Sequence, residues 1–197
     1  KHKQNGVKFY LNTSAQEVID QGLTKKIILI GKNSEELEVD TVLVGIGIKP
    51  NTSLADDCGL QVENGISVDE NCLTSDKNIF AIGDCSNHHN LFYNNRLLLE
   101  SVQNAVDQSK TVAAYICKNP DPYHKIPWFW SDQYNIKIQI AGIIDGFDDY
   151  KINGSIKSER FSIRFFKNQS LIAIEAINSP KEFMRGKKLL EKSKKER

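Results

Sequence analysis

The sequence predicts an α/β chain rich in β-structure. Three observations carry that expectation. Short β-branched runs recur through the first third, each bounded by glycine or polar clusters. One clear helix follows, with apolar residues at intervals of three and four. Beyond a proline-rich stretch, strand-like runs resume and give way to a basic helical tail.

The 197 residues, 40% of them hydrophobic, suit one large domain or two small ones. A chain of this length buries about 70% of its unfolded surface, so a real core is expected. A net charge of +1 argues against a general nucleic-acid binder. No apolar run approaches the roughly 18 residues of a membrane span. No signal peptide is visible, and a cytoplasmic location is expected. Lys1 is an odd beginning for a native chain, so an upstream targeting segment stays open. Cys58, Cys72, Cys85 and Cys117 form no Cys-x-x-Cys pair and no zinc-ligand cluster. They are expected as small, buried or half-buried apolar residues in a reducing compartment.

Taken in order, residues 7–11, 26–30 and 41–44 predict three strands of an antiparallel meander. Pro50 breaks the pattern. Residues 66–69 alternate as a strand does. Residues 78–82 are almost wholly apolar, as in a strand buried on both faces, and stop at Gly83 and Asp84. The helix is expected from about 101 to 117, with Val102, Ala105, Val106, Ser109, Val112, Ala113 and Ile116 on one face. Pro120 and Pro122 end it. Further strand-like runs occupy 136–140, 160–166 and 171–176. Residues 181–197 hold eight Lys or Arg and three Glu, which predicts a solvated helix or a positive patch that steers an acidic partner.

The chemistry concentrates around Gly83 and Asp84. Glycine admits a ligand close to the backbone. The aspartate at the C-terminal end of an apolar run is either a turn cap or a hydrogen-bond acceptor for ligand hydroxyls. Ser101 and Val102 open the long helix, whose free N–H groups and partial positive charge suit an electron-rich ring edge as well as an ordinary helix start. Gly45-x-Gly47 lacks the third glycine of a dinucleotide fingerprint, and Pro50 would spoil the helix start. No true fingerprint occurs in the chain. His88 and His89 are expected as solvated loop residues. Trp128 and Phe129 are expected in the core.

Several of these segments combine into a pattern. Gly65-Ile66-Ser67-Val68-Asp69, then Thr74-Ser75, then Ile79-Phe80-Ala81-Ile82-Gly83-Asp84 resembles the second flavin-binding motif of pyridine-nucleotide-dependent flavoprotein reductases. Residues 42–51 resemble the passage in which such chains leave the NAD domain and return to the FAD domain. Glu100-Ser101-Val102-Gln103-Asn104-Ala105, Pro127-Trp128-Phe129-Trp130-Ser131-Asp132-Gln133-Tyr134 and Asn178-Ser179-Pro180 are similar to the NAD(P)H:ferredoxin and rubredoxin reductases, of the putidaredoxin reductase and dioxygenase ferredoxin reductase kind.

The resemblance covers essentially the whole chain. It implies the C-terminal part of a flavoprotein with two dinucleotide-binding domains and a C-terminal mixed α/β domain. Residues 1–50 would end the NAD(P)H domain, 51–122 return to the FAD domain, and 123–197 form the reductase C-terminal domain. It implies FAD and NAD(P)H as cofactors and a ferredoxin or rubredoxin as electron acceptor. Gly83, Asp84, Ser101, Val102 and Trp130 would meet FAD, with Gly47 and Glu100 on the nicotinamide side. No side chain is required as acid, base or nucleophile. A non-enzymatic docking or dimerising fragment, a homo-oligomer, and a relative of apoptosis-inducing factor or of peroxide-reducing flavoproteins remain open alternatives.

Overall fold

The computed structural model describes residues 1–32 and 34–195, in two compact units, Lys1–Ile48 and Lys49–Arg197. The first unit contains an antiparallel meander of β1 (Thr13–Asp20), β2 (Lys25–Gly31) and β3 (Glu36–Val39), in that order. The β1–β2 turn is closed by Asp20, whose Oδ1 accepts from Gly22 N at 2.9 Å and from Lys25 Nζ at 3.0 Å. Across β2 and β3, Lys26 pairs with Glu36 at 2.6 Å. The run expected at 26–30 is β2. The outer strands differ from expectation. Residues 7–11 and 41–44 are not strands, and Leu43 is 95% exposed. Residues 13–20 and 36–39 pair with β2 instead. They are mostly exposed, so backbone hydrogen bonds and cross-strand ion pairs hold them without an apolar signature.

The second unit opens with a short helix, α1 (Ser53–Asp57), and a three-stranded sheet. In it β5 (Ser86–Asn90) lies between β4 (Ile66–Val68), to which it is parallel, and β6 (Asn95–Leu98), to which it is antiparallel. The run at 78–82 is not a buried strand. Its only ladder contact among the described residues is a bridge between Leu73 and Phe80, and Ile79 and Ile82 are exposed.

His88 departs from the loop reading. It lies on the central strand β5, is 2% exposed, and meets Tyr123 edge-on with centroids 5.0 Å apart. Its polar neighbours hid the strand, because Ser86, Asn87 and Asn90 are buried there too. His89 is exposed as expected. Among the cysteines, Cys72 is buried and Cys85 half-buried, but Cys58 and Cys117 are exposed, and all four are free thiols.

The long helix α2 (Val102–Ile116) forms where expected, yet it turns its polar side inward. Gln103, Asn104, Gln108 and Thr111 are buried, while Val102, Val106 and Ile116 are exposed. Hydrogen bonds fix this orientation. Asn104 Oδ1 accepts from the Tyr123 hydroxyl at 2.8 Å, and Thr111 Oγ1 donates to Asp121 O at 2.9 Å.

The remaining strands are β7 (Trp128–Gln133), β8 (Ile136–Gly142), β9 (Asp149–Ser155), β10 (Arg160–Lys167) and β11 (Ser170–Ile177). They form an antiparallel sheet in the order β7-β8-β11-β10-β9. Asn168 and Gln169 both take positive φ in the two-residue turn between β10 and β11, which matches the twist of a tight hairpin. Helix α3 (Pro180–Lys195) packs on β11, β8 and β10. It is basic but not merely solvated. Phe183 and Leu190 join Ala141, Ile174 and Ala176 in the main core, and Arg164 pairs with Glu182 at 2.9 Å. Residues 196–197 of the expected tail lie outside the described residues. No helix among those described is long and apolar enough to cross a membrane.

Gly186 sets the approach of α3 to the sheet. A Cβ there would stand 2.3 Å from Ile174 Cδ1 and 2.9 Å from its Cγ2, and Ile174 is fully buried. Gly186→Val is expected to destabilise this unit by about 1–3 kcal/mol through overpacking. Urea unfolding followed by tryptophan fluorescence reads this unit, since the chain's two tryptophans both lie on β7. An unchanged midpoint would refute the close contact.

His88 gives a second expectation. Burial, followed by the nearby Arg96 guanidinium and then His89, lowers its pKa from 6.5 to about 4. Neither ring nitrogen has a hydrogen-bond partner among the described residues. Above pH 6.5 both states hold a neutral ring; between 6.5 and about 4 only the unfolded chain takes up the proton. Stability therefore falls with falling pH across that window, by roughly 3 kcal/mol in all. His88→Phe keeps the edge-on contact and removes the titration, so its urea midpoint should lose this component of the pH dependence. Equal slopes for the two proteins would rule the ring out.

Candidate functional site

The site begins at the start of α2. Ser101 is its N-cap, in extended conformation, and its Oγ accepts from Asn104 N at 3.2 Å. The first N–H groups of any helix lack intrahelical partners and carry a partial positive charge. Val102, the first helical residue, is 66% exposed, so this end of the helix is accessible.

The Gly83–Asp84 turn packs against the same helix. Gly83 takes φ +76°, and a side chain there would meet Ala105 Cβ at 3.4 Å. Its N–H donates to Gln108 Oε1 at 2.7 Å. Ser86 Oγ is 2.9 Å from both Gly83 O and Gln108 Oε1. Asp84 itself is exposed, and its carboxylate has no protein partner among the described residues. The backbone of the turn is thus fixed while its acid points outward, an arrangement suited to accepting hydrogen bonds from a polyol.

Near the helix start lies a cavity of about 400 Å³, lined by Leu98, Leu99, Glu100, Ser101, Phe129, Ile140 and Ile143 among others. Of the residues expected from sequence, Glu100 and Ser101 line it. Trp130 does not. Strand alternation puts Phe129 and Trp130 on opposite faces of β7. Trp130 packs against Trp128, centroids 5.5 Å apart and planes tilted by 31°, on the face that carries α3, where Lys187 lies 4.7 Å from the Trp128 ring centroid. Phe129, expected as core, is 47% exposed and borders the cavity. Trp128 is half-buried against the main core. Phe129 pairs across the sheet with Ile140, and Ile140 with Glu175. Burial raises the Glu175 carboxyl above its ordinary value.

The strand β7 is tied to α2 by Trp128 N, which donates to Gln103 Oε1 at 3.3 Å. Gln103 in turn donates to Asp107. The amides Gln103, Asn104 and Gln108 were missed as site-building residues, because on a helix they read as ordinary surface. Gly47 takes φ +99° in the first unit, outside any strand. No group of three or more metal-ligating side chains occurs among the described residues.

Comparisons with known proteins bear on this geometry. The profile of the pyridine nucleotide-disulphide oxidoreductase family matches residues 1–109, and a reductase C-terminal profile matches 128–197. Rhodocoxin reductase of Rhodococcus erythropolis is 39% identical over 96% of this chain and 44% of its own length. The structure of the ferredoxin reductase for the CYP199A2 system of Rhodopseudomonas palustris superposes with a TM-score of 0.88 at 38% identity, covering 94% of this chain and 46% of that one. The reductase in the covalent putidaredoxin reductase–putidaredoxin complex superposes with a TM-score of 0.89 at 32% identity, over 96% of this chain and 46% of that one. The chain thus spans somewhat less than half the length of these relatives.

The α/β arrangement of several sheets and helices resembles the corresponding part of the FAD- and NAD(P)-binding reductase fold. The chain belongs to the pyridine nucleotide-disulphide oxidoreductase family, within its ferredoxin and rubredoxin reductases, and is a homologue of the putidaredoxin and rubredoxin reductases.

Proposed function

We propose that this chain is the C-terminal part of a flavoprotein that passes electrons from NAD(P)H through FAD to a ferredoxin or rubredoxin. The observation that carries the proposal is the Gly83–Asp84 turn, fixed on α2 with its carboxylate open, beside the accessible N-terminus of that helix. Asp84 accepts hydrogen bonds from the ribitol hydroxyls of FAD, and the helix start at Ser101 and Val102 faces the pyrimidine edge of the ring. When bound, FAD supplies hydride acceptance and one-electron delivery. The protein's part is to bind and orient it.

In this reading residues 1–50 close the NAD(P)H domain, 51–122 return to the FAD domain, and 123–197 form the C-terminal domain. Glu100 serves the nicotinamide side of the cavity. The cavity bordered by Glu100, Ser101 and Phe129 supports a planar ligand at the helix start. The exposed apolar faces at Ile79, Ile82, Val106 and Ile116 support a further part of the whole protein packing on this one. The exposed basic side chains of α3, Lys181, Arg185 and Lys188 among them, support steering of an acidic acceptor.

The visible spectrum of the purified chain, with and without added FAD, is the first test. Flavin bands that survive desalting mean that this chain holds the cofactor itself; their absence means that the residues outside it are indispensable. The sharper test uses the whole protein. Asp84→Ala is expected to weaken FAD retention about tenfold to a hundredfold, the worth of a hydrogen bond to a charged group. Unchanged occupancy would falsify the assignment of Asp84.

A further inference from the structure

We infer that Gln108 is a positioning residue for the flavin: its buried carboxamide fixes the Gly83–Asp84 turn on α2, and so sets the spacing between the Asp84 carboxylate and the open N–H groups at the helix start. The inference rests on the flavin reading above and adds a residue to it that never touches the ligand.

Two N–H donors and a hydroxyl converge on one oxygen. Gln108 Oε1 accepts from Gly83 N at 2.7 Å and Asn104 Nδ2 at 3.2 Å, with Ser86 Oγ at 2.9 Å. A backbone N–H can only donate, so the oxygen, not the nitrogen, must face the turn. The side chain is fully buried, as is Asn104. Asn104 Nδ2 also donates to Leu99 O at 3.0 Å, two residues before the Ser101 cap. The two carboxamides therefore hold both halves of the candidate site: Asn104 the approach to the helix, Gln108 the acidic turn. Asp84 has no such tie of its own, so where its carboxylate stands depends on the peptide before it. Gln108 Nε2, in contrast, has no hydrogen-bond partner among the described residues. The function of the side chain lies in its acceptor.

That asymmetry supplies the test. Gln108→Leu removes the acceptor; Gln108→Glu, held protonated by burial, keeps the acceptor and puts an O–H where the unused N–H group stood. In the FAD-loaded whole protein, Q108L is expected to weaken FAD binding about tenfold or more and to shift the flavin absorption band and midpoint potential. Q108E should hold FAD within about threefold of the parent. If Q108L does not fold, Gln108→Met, unbranched and close in volume, makes the same comparison. A Q108L or Q108M protein that unfolds more easily but binds FAD with the parent's affinity and spectrum overturns the inference, while loss of FAD in Asp84→Ala shows that the flavin reading stands. If Asp84→Ala also leaves FAD binding intact, that reading fails and takes this one with it.

Discussion

A carboxamide taken out of water must find partners inside the protein, and the buried side of α2 is arranged around that requirement. Asn104 and Gln108 receive or give hydrogen bonds to Tyr123, Leu99, Gly83 and Ser86. Thr111 adds a bond to Asp121, and Gln103 one to Trp128. These contacts bring the acidic turn, the entry to the helix, the linker after it and the first strand of the five-stranded sheet onto a single helix. The candidate site is therefore assembled by polar pairing, and its geometry is directional where an apolar contact would leave room to slide.

The five-stranded sheet works differently. Its core is apolar, with Ile174, Ala176, Phe183 and Leu190 at the contact with α3. Packing there depends on the absence of a side chain at Gly186, and the polar tie between Arg164 and Glu182 lies to one side. Tyr93 joins the two regions: its hydroxyl donates to Ile172 O at 3.0 Å and accepts from Ile143 N at 2.8 Å. A helix-covered sheet thus gives a firm base, from which β7 presents Phe129 toward the cavity.

How much of this was legible depended on what holds each element. Strands β8, β10 and β11 announce themselves as apolar runs because they are packed, and β2 does so through isoleucines that are only half-buried. The outer strands of the meander are exposed and carry Glu17, Glu36 and Glu38, so periodicity was silent and nearby apolar runs drew the assignment instead. Strand β5 was hidden by the polar residues His88, Asn87 and Ser86, whose burial no hydropathy pattern conveys. Helix α2 was placed within a residue, since caps and periodicity are local, but its buried face was the one that the apolar stripe did not mark. Glu100 and Ser101, expected from the resemblance of their motif, line the cavity. Phe129 was expected in the core and Trp130 by the flavin, yet it is Phe129 that borders the cavity, because three consecutive aromatics do not show which face of the strand each takes.

The inverted burial of α2 constrains how the protein can change over evolution. A helix seated by an apolar stripe tolerates some rotation, since one aliphatic side chain can stand in for another. A helix seated by paired amides does not. Inserting or deleting one residue between Ser101 and Gln108 would turn the later residues by about 100° and bring the wrong side chain to Gly83. Among homologues, the interval from the cap to the glutamine should therefore stay fixed in length, even where the exposed valines drift freely.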